Sequence, residues 1–179
     1  WGIADVQDSQ SAIDYLTTEK KIDPERCIIR GGSAGGYTVL SALTFTDTFK
    51  AGASLYGIGD LETLATDTHK FESRYMDSLI GPYPERRDIY IARSPIHHAE
   101  GLNCPVIFLQ GLEDKVVPPN QAEMMVKLLE EKGIKVGHVT FPDEGHGFRK
   151  SANIIRAMES ELAFYTEVFS LTDKNSGID

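Results

Sequence analysis

Four consecutive apolar residues, Val106, Ile107, Phe108 and Leu109, constrain the fold of this chain more than any other feature. Successive side chains of a β-strand point to opposite faces of its sheet, so a strand without polar alternation needs cover on both faces. Strands of this kind are typical of parallel sheets that lie between layers of helices. The run therefore predicts an α/β fold.

Strand-like and helix-like segments alternate along the rest of the chain. Further strands are predicted at residues 27–29, 51–56 and 136–141, and helices at 3–19, 37–43, 119–132 and 151–169. Residues 57–100 read as helices with loops. This order predicts a mostly parallel sheet with right-handed crossovers. We expect one domain over residues 1–170 and a polar, disordered tail over 171–179.

Composition excludes several classes of protein. A length of 179 residues suits one domain, and the net charge of −9 argues against a nucleic-acid partner. No apolar run approaches the roughly 20 residues of a membrane helix, and no signal peptide is visible. Cys27 and Cys104 adjoin apolar runs and are predicted to be buried, reduced thiols. These observations favour a cytoplasmic protein that acts without a membrane.

The sequence Gly-Gly-Ser-Ala-Gly at 31–35 is a G-x-S-x-G motif between a predicted strand and a predicted helix. In α/β-hydrolases this motif places a nucleophilic serine on a tight turn, and we expect glycine to be required sterically at 31 and 35. Ser33 is the predicted nucleophile, and the backbone N–H of Ala34 the predicted oxyanion donor. The alternative is a glycine-rich turn with a solvated serine. Neither a dinucleotide-binding nor a phosphate-binding glycine pattern fits these residues.

A serine hydroxyl needs a base, and in this fold the chain order is serine, acid, histidine. His146 follows the last predicted strand between Gly145 and Gly147, which let a loop present an imidazole without steric cost. It is the predicted base. Four other histidines lack such a setting and are interpreted as surface or structural residues: His69, His97, His98 and His138. Adjacent histidines do not converge on one ion, so neither a metal nor any other cofactor is predicted.

Asp114 follows the apolar strand at its carboxyl end, where catalytic groups gather in α/β sheets. A buried carboxylate there would fix the tautomer of His146 and stabilise its cation. Asp114 is therefore the predicted acid; Glu113 is the neighbouring competitor, and a solvated loop acid is the other interpretation of Asp114.

Several motifs in this order resemble the catalytic domain of the prolyl oligopeptidase family, which includes dipeptidyl peptidases and acylaminoacyl peptidases. The resemblance runs from residue 1 to about residue 169. It is carried by Gly-Gly-Ser-Ala-Gly-Gly-Tyr at 31–37, Ser-Pro-Ile-His-His at 94–98, Gly-Leu-Glu-Asp at 111–114 with Val-Pro at 117–118, and Pro-Asp-Glu-Gly-His-Gly-Phe at 142–148.

The resemblance implies an α/β-hydrolase-type three-layer sandwich and hydrolysis of short peptides through an acyl-serine intermediate. It also implies a pocket for the substrate residue that precedes the scissile bond. The residues expected near that pocket are Ile58, Leu61, Phe71 and Val117, and Tyr75 and Met76 match a stretch just beyond it. A place in the core is the alternative for all six.

The chain begins at Trp1 rather than at a methionine. The resemblance implies that a β-propeller, the first strands of the sheet and the second oxyanion donor lie upstream. We therefore expect an N-terminally truncated chain whose partners are a peptide substrate, the missing N-terminal part and a possible second copy. Loss of one oxyanion donor costs roughly 10²–10³ in rate, so the chain alone is expected to hydrolyse poorly or not at all.

Three functions remain open at this point. The first is a serine peptidase, which the turn at 111–114 and the loop at 142–148 favour. The second is an esterase or lipase-like hydrolase, because the same fold and the same three residues serve both reactions. The third is a non-catalytic binding module of the same fold.

Overall fold

Four parallel strands form a single sheet in the computed structural model, which describes residues 1–67 and 75–171. The strands are β1 (Ile28–Gly32), β2 (Ala51–Leu55), β3 (Val106–Gly111) and β4 (Val136–Phe141). The helices are α1 (Ala4–Thr18), α2 (Ala34–Phe45), α3 (Leu61–Asp67), α4 (Tyr75–Leu79), α5 (Arg87–Arg93), α6 (Asn120–Glu131) and α7 (Ser151–Val168). Short 3₁₀ turns lie at Pro24–Arg26 and Pro95–His98.

The spatial order of the strands equals their order in the chain, β1-β2-β3-β4. Each strand is therefore added to the same side of the previous one. Since crossovers between parallel strands are right-handed, strands added in one direction place their crossover helices on one face. Helices α2 and α6 accordingly pack on one face of the sheet, and α7, which follows the last strand, packs on the other.

The core consists of two layers separated by the sheet, and β3 contributes to both. Val106 and Phe108 pack with α1, α2 and α6, whereas Ile107 and Leu109 pack with α7. All six residues of β3 are buried. This alternation is the physical reason for the unbroken apolar run, and the predicted α/β-hydrolase-type fold with a parallel sheet is confirmed.

The helices on the two faces differ in how much of their surface is covered. Most of α2 is buried, including the polar side chains of Ser41 and Thr44. On α7, by contrast, Met158 and Leu162 are 63% and 67% exposed. A groove of about 580 Å³ lies between this side of α7 and residues of β1 and β2. The sheet is thus closed on the α2 face and partly open on the α7 face.

Local differences from the sequence predictions have simple causes. Strand β1 begins at Ile28 and continues to Gly32, because backbone pairing with β2 extends into the glycines. Tyr56 was predicted within the second strand, but it lies after β2 with φ of 39°, where the chain turns away. The predicted domain limits stay predictions, and residues 172–179 of the predicted tail lie outside the described residues.

Both cysteines are free thiols in the structure. Cys27 is buried and Cys104 is half-buried, and burial raises the pKa of the Cys104 thiol to about 11. Burial also raises the pKa of the Cys27 thiol, so both thiols stay protonated near neutral pH. Within the residues that the structure describes, no helix combines the length and apolar character that crossing a bilayer requires.

Candidate active site

Ser33 occupies the turn between β1 and α2 at the carboxyl edge of the sheet. Its φ of 56° and ψ of −120° lie in a region that non-glycine residues rarely adopt. Its backbone N–H donates to the carbonyl of Leu55, and its own carbonyl accepts from the N–H of Tyr37. The strained residue is therefore held by both the neighbouring strand and the following helix.

The glycines around Ser33 have unequal roles. A Cβ on Gly31 would lie 2.4 Å from the backbone oxygen of Gly35, closer than real atoms approach. A Cβ on Gly35 would meet nothing within 4 Å among the described residues. The expectation that both positions require glycine sterically is thus wrong for Gly35, because the tight contact involves its backbone and not its missing side chain. Gly36 does need to be small, since its Cβ would lie 2.6 Å from Gly57.

Ser33, His146 and Asp114 form a continuous chain of hydrogen bonds. The Oγ of Ser33 lies 2.8 Å from Nε2 of His146, and Nδ1 of the same ring lies 2.8 Å from Oδ2 of Asp114. These residues are 113 and 32 positions apart in sequence, respectively. The fold therefore brings together the three side chains that the sequence predicted as nucleophile, base and acid.

The chemistry of the partners assigns the protons in this chain. An ionised carboxylate only accepts hydrogen bonds, so Nδ1 of His146 carries the proton that faces Asp114. Nε2 is then an acceptor, and the hydroxyl of Ser33 donates to it. The imidazole is consequently oriented to remove the serine proton. The ring is also held from the side by Tyr56, whose ring centroid lies 5.0 Å away in an edge contact.

The Asp114 carboxylate is fully shielded from solvent, with a side-chain exposure of 0%. Its Oδ1 accepts the backbone N–H groups of Val116 and Val117, each at 2.9 Å, so a tight turn fixes its orientation. The amide of Gln110 lies beside Oδ2 at 3.5 Å. Glu113, the competing acid, is exposed to solvent. The structure thus places the predicted acid Asp114, and not its competitor Glu113, against His146.

The loop that carries His146 connects β4 to α7. Gly147 adopts φ of +86°, as a loop that turns sharply behind an imidazole requires. Gly145 and Gly147 pair across His146 in a single backbone bridge. Phe148 packs its ring against those of Phe141 and Tyr56. The imidazole is therefore presented by a short loop whose far end is anchored in the core.

A cavity of about 260 Å³ opens beside the serine and the histidine. Ile58 and Val117, which the resemblance placed near a substrate pocket, line it. Leu61 is fully buried and packs behind the cavity in the same apolar cluster rather than lining it. Phe71 lies outside the described residues. Tyr75 and Met76 line the cavity as well.

Sequence reasoning missed three residues of the cavity wall, Trp1, Leu64 and Val116. The ring of Trp1 stacks on Tyr37 at a centroid distance of 5.2 Å. Burial raises the pKa of Tyr37 to about 12, and its protonated hydroxyl donates to the carbonyl of Arg93. No short-range pattern links residue 1 to residue 33, so only the closeness of Val116 to Asp114 offered a sequence signal.

Ala34 is the first residue of α2 and also lines the cavity. A backbone N–H at this position has no acceptor within its own helix, and the helix dipole adds positive potential there. The group is therefore available to an anionic oxygen that forms next to Ser33. In the described parts of the chain, no group of three or more His, Cys, Asp or Glu side chains is arranged to hold a metal ion.

The other described histidines lie away from these residues. His97 and His138 are exposed, and the ring of His98 lies 3.3 Å from the carbonyl oxygen of Ile91. His69 lies outside the described residues.

Comparison with known proteins places the sequence in a family. The family described as "Prolyl oligopeptidase family" matches residues 1–172. The chain belongs to this family.

Relatives of this prolyl oligopeptidase family chain are much longer than it is. It is 31% identical over 148 residues to dipeptidyl aminopeptidase BIII of Pseudoxanthomonas mexicana, covering 79% of this chain and 22% of the relative. A solved puromycin-hydrolyzing peptidase of Mycobacterium tuberculosis is 46% identical and superposes with a TM-score of 0.94, covering 100% of this chain and 27% of that one. The chain thus spans about a quarter of the length of these proteins.

A more distant relative is named for a different activity. The probable carboxylic ester hydrolase LipM of Mycobacterium tuberculosis is 26% identical over 182 residues, covering 90% of this chain and 42% of LipM. Peptidases and an ester hydrolase therefore both occur among the relatives. Together with the family membership, they support a hydrolase.

Proposed function

We propose that this chain is the catalytic part of a serine peptidase that cleaves short peptides through an acyl-serine intermediate. The observation that carries the proposal is the chain of two 2.8 Å contacts from Ser33 through His146 to Asp114. A serine on a strained turn, a correctly oriented imidazole and a buried carboxylate are the components that acyl transfer requires.

The reaction follows from the positions of the protons. His146 Nε2 accepts the hydroxyl proton while Ser33 Oγ forms a bond to the substrate carbonyl carbon. The imidazolium, stabilised by Asp114, then donates this proton to the leaving amine as the C–N bond breaks. Water then loses a proton to the same nitrogen as its oxygen bonds to the acyl carbon. The C–Oγ bond breaks, and the imidazolium donates its proton to Ser33 Oγ, which releases the acid and restores the hydroxyl.

The oxyanion of each tetrahedral intermediate forms next to the start of α2. The Ala34 N–H supplies one donor at this position, and the helix dipole favours the negative charge. We propose that a second donor to the oxyanion comes from another part of the full-length protein.

The cavity suggests the kind of substrate. Its described wall is formed by apolar and aromatic residues next to the reactive serine: Trp1, Ile58, Leu64, Met76 and Val117. An uncharged, bulky side chain before the scissile bond would bury its surface there, whereas a charged one would lose hydration without a partner. The peptidase names of the relatives agree with a peptide or aminoacyl amide as substrate.

A fluorophosphonate probe tests the assignment in the full-length protein. Such a probe reacts with a serine that a histidine activates, so we expect labelling of the wild type and none of Ser33→Ala. Ser11→Ala changes an exposed serine of α1 and should label as the wild type does. A folded wild type that stays unlabelled would support a non-catalytic binding role.

An ester hydrolase is the second candidate, and the similarity to LipM is the observation that favours it. The two activities differ in the leaving group, because an amine must be protonated before it departs whereas an alkoxide leaves more readily. Rates on p-nitrophenyl esters and on aminoacyl or acylaminoacyl anilides, measured with the same full-length preparation, separate them. Turnover of esters with no detectable turnover of any anilide would favour the esterase.

A further inference from the structure

Glu144 is a buried carboxylate two residues before His146, and the reaction described above does not use it. Its Oε2 accepts the backbone N–H of Arg149 at 3.1 Å, and its Oε1 accepts the N–H of Lys150 at 2.9 Å. The amide of Asn153 donates to Oε1 as well, at 2.9 Å. Three donors at the start of α7 therefore converge on this one side chain.

The backbone of the same residue contacts the turn at 111–114 that carries Asp114, the acid turn. The carbonyl of Glu144 accepts the N–H of Glu113 at 2.9 Å. The approach is so close that a Cβ on Gly111 would lie 2.5 Å from this carbonyl oxygen. Glu144 thus touches the acid turn through its main chain and α7 through its side chain, with His146 between these two attachments.

Asp143 provides an internal comparison, since it is the adjacent residue and also a carboxylate. It accepts from Nζ of Lys150 and from Asn153, and its side chain is half exposed. Among the described residues, the backbone N–H that donates to it is its own, so its carboxylate accepts from no other main-chain segment. Surface ion pairs of this kind contribute little. Two neighbouring carboxylates therefore share a loop, but of the two residues only Glu144 links the main chain of the acid turn to the main chain before α7.

We propose that Glu144 is a positioning residue, which fixes the loop of His146 between the acid turn and α7 so that the imidazole meets Ser33 and Asp114 together. This inference rests on the proposed function of those three residues. It assigns no contact with substrate to Glu144. The expected consequence is that weakening the hydrogen bonds of its carboxylate moves the imidazole, while the sheet and the turn around Ser33 stay intact.

The ionised form of Glu144 is the one that fits this role. Hydrogen bonds from Asn153 and from the N–H of Lys150 hold the pKa of its carboxyl below the usual value. The charged groups nearby are Asp143 on the same loop, Glu113 on the acid turn, and Arg149 and Lys150 before α7. A neutral amide at this position offers one acceptor oxygen where the carboxylate offers two.

Glu144→Gln in the full-length protein tests the inference, with Asp143→Asn as the matched control. Because a displacement near 1 Å can cost up to about 10²-fold in rate, we expect kcat of Glu144→Gln to fall at least about tenfold with KM nearly unchanged. The rate of fluorophosphonate labelling should fall in parallel. Asp143→Asn should stay within about twofold of the wild type.

A spectroscopic signature separates positioning from simple stabilisation. We expect the proton between His146 and Asp114 to give a low-field NMR resonance that shifts or broadens in Glu144→Gln and stays unchanged in Asp143→Asn. If Glu144→Gln does not fold, Asn153→Ala removes one of the three donors and should produce a smaller loss of kcat in the same direction.

Unchanged kcat and an unchanged resonance in a folded Glu144→Gln protein would overturn the inference, and so would an equal loss in Asp143→Asn. Wild-type protein that neither turns over substrate nor labels would count against the proposed function and against this inference with it. Normal wild-type labelling with no effect of either variant would remove the role of Glu144 alone.

Discussion

The elbow around Ser33 and the loop around His146 are held in different ways. At the elbow, backbone atoms of Gly31 and Gly35 and of Gly36 and Gly57 pack so closely that no side chain fits between them. At the histidine loop, Glu144 and Gly145 also pack closely on Gly111, but the imidazole and the start of α7 are held by hydrogen bonds that the carboxylates of Asp114 and Glu144 accept. The elbow is thus fixed by backbone packing, whereas the histidine loop depends on polar partners as well.

This difference predicts how each region fails. Overlap between backbone atoms cannot be relieved without moving a strand or a helix, so damage at the elbow should appear as lost stability. A lost hydrogen bond leaves the fold in place and frees a side chain, so damage at the histidine loop should appear first as lost rate.

The largest expected effect is that of Asp114→Asn on the histidine loop. Oδ1 already accepts two backbone N–H groups, so the amide oxygen stays there and the NH₂ group faces Nδ1 of His146. The imidazole proton then moves to Nε2, which can no longer accept from Ser33. We expect kcat to fall roughly 10³–10⁴-fold with a normal melting temperature.

Glu113→Gln is the control for that measurement, since Glu113 is the exposed neighbour. It should leave kcat within about twofold. A comparable loss in Glu113→Gln would mean that the wrong acid has been assigned to the base.

Gly31→Ala addresses the elbow. Its methyl group would lie 2.4 Å from the oxygen of Gly35, so we expect a loss of about 1–3 kcal/mol in the free energy of unfolding. Gly35→Ala, whose methyl group meets nothing within 4 Å, lies in α2 and should be neutral or up to about 1 kcal/mol stabilising. Urea denaturation of the two variants measures this contrast, and equal costs at both positions would contradict it.

The smallest expected effect is on the stability of the fold at low pH. The pKa of the Glu144 carboxyl is lowered in the folded chain, as is that of Asp143. A carboxyl with a lowered pKa stabilises the fold above its unfolded pKa and loses this contribution as the pH falls through the folded value. The urea concentration at the midpoint of unfolding should therefore decrease as the pH falls below about 4.5. The slope of this midpoint against pH should be shallower in a variant with both Asp143→Asn and Glu144→Gln.

Gly35→Ala is the comparison for the acid experiment. Residues 31–35 contain no titratable side chain, so this variant should show the same acid slope as the wild type. A flatter slope in Gly35→Ala would indicate that the acid response arises elsewhere.

Local patterns in the sequence predicted most of the architecture, because the sheet is built from strands with short-range signals. The run at 106–109 became the centre of a sheet covered on both sides, and the glycines at 31–36 marked the strand-to-helix turn. The three aligned side chains were also predictable, since each follows a strand at its carboxyl end.

Packing between distant segments was not predictable in the same way. The cavity wall combines Trp1, Leu64 and Val116, which share no periodicity and meet only after the sheet has formed. The sequence favoured Asp114 over Glu113, but not the reason that the structure adds, which is that Asp114 accepts the N–H groups of the turn. The steric role expected of Gly35 failed for a similar reason, since the direction of a missing Cβ is a property of the folded backbone.

The position of the first residue has a practical consequence. Trp1 is the single tryptophan of the 179 residues, and it lies in the wall of the cavity beside Ser33, stacked on Tyr37. Indole emission depends on the polarity and the aromatic neighbours of the ring. The chain therefore contains an intrinsic fluorophore whose spectrum can report, without any added dye, when a molecule enters or leaves that space.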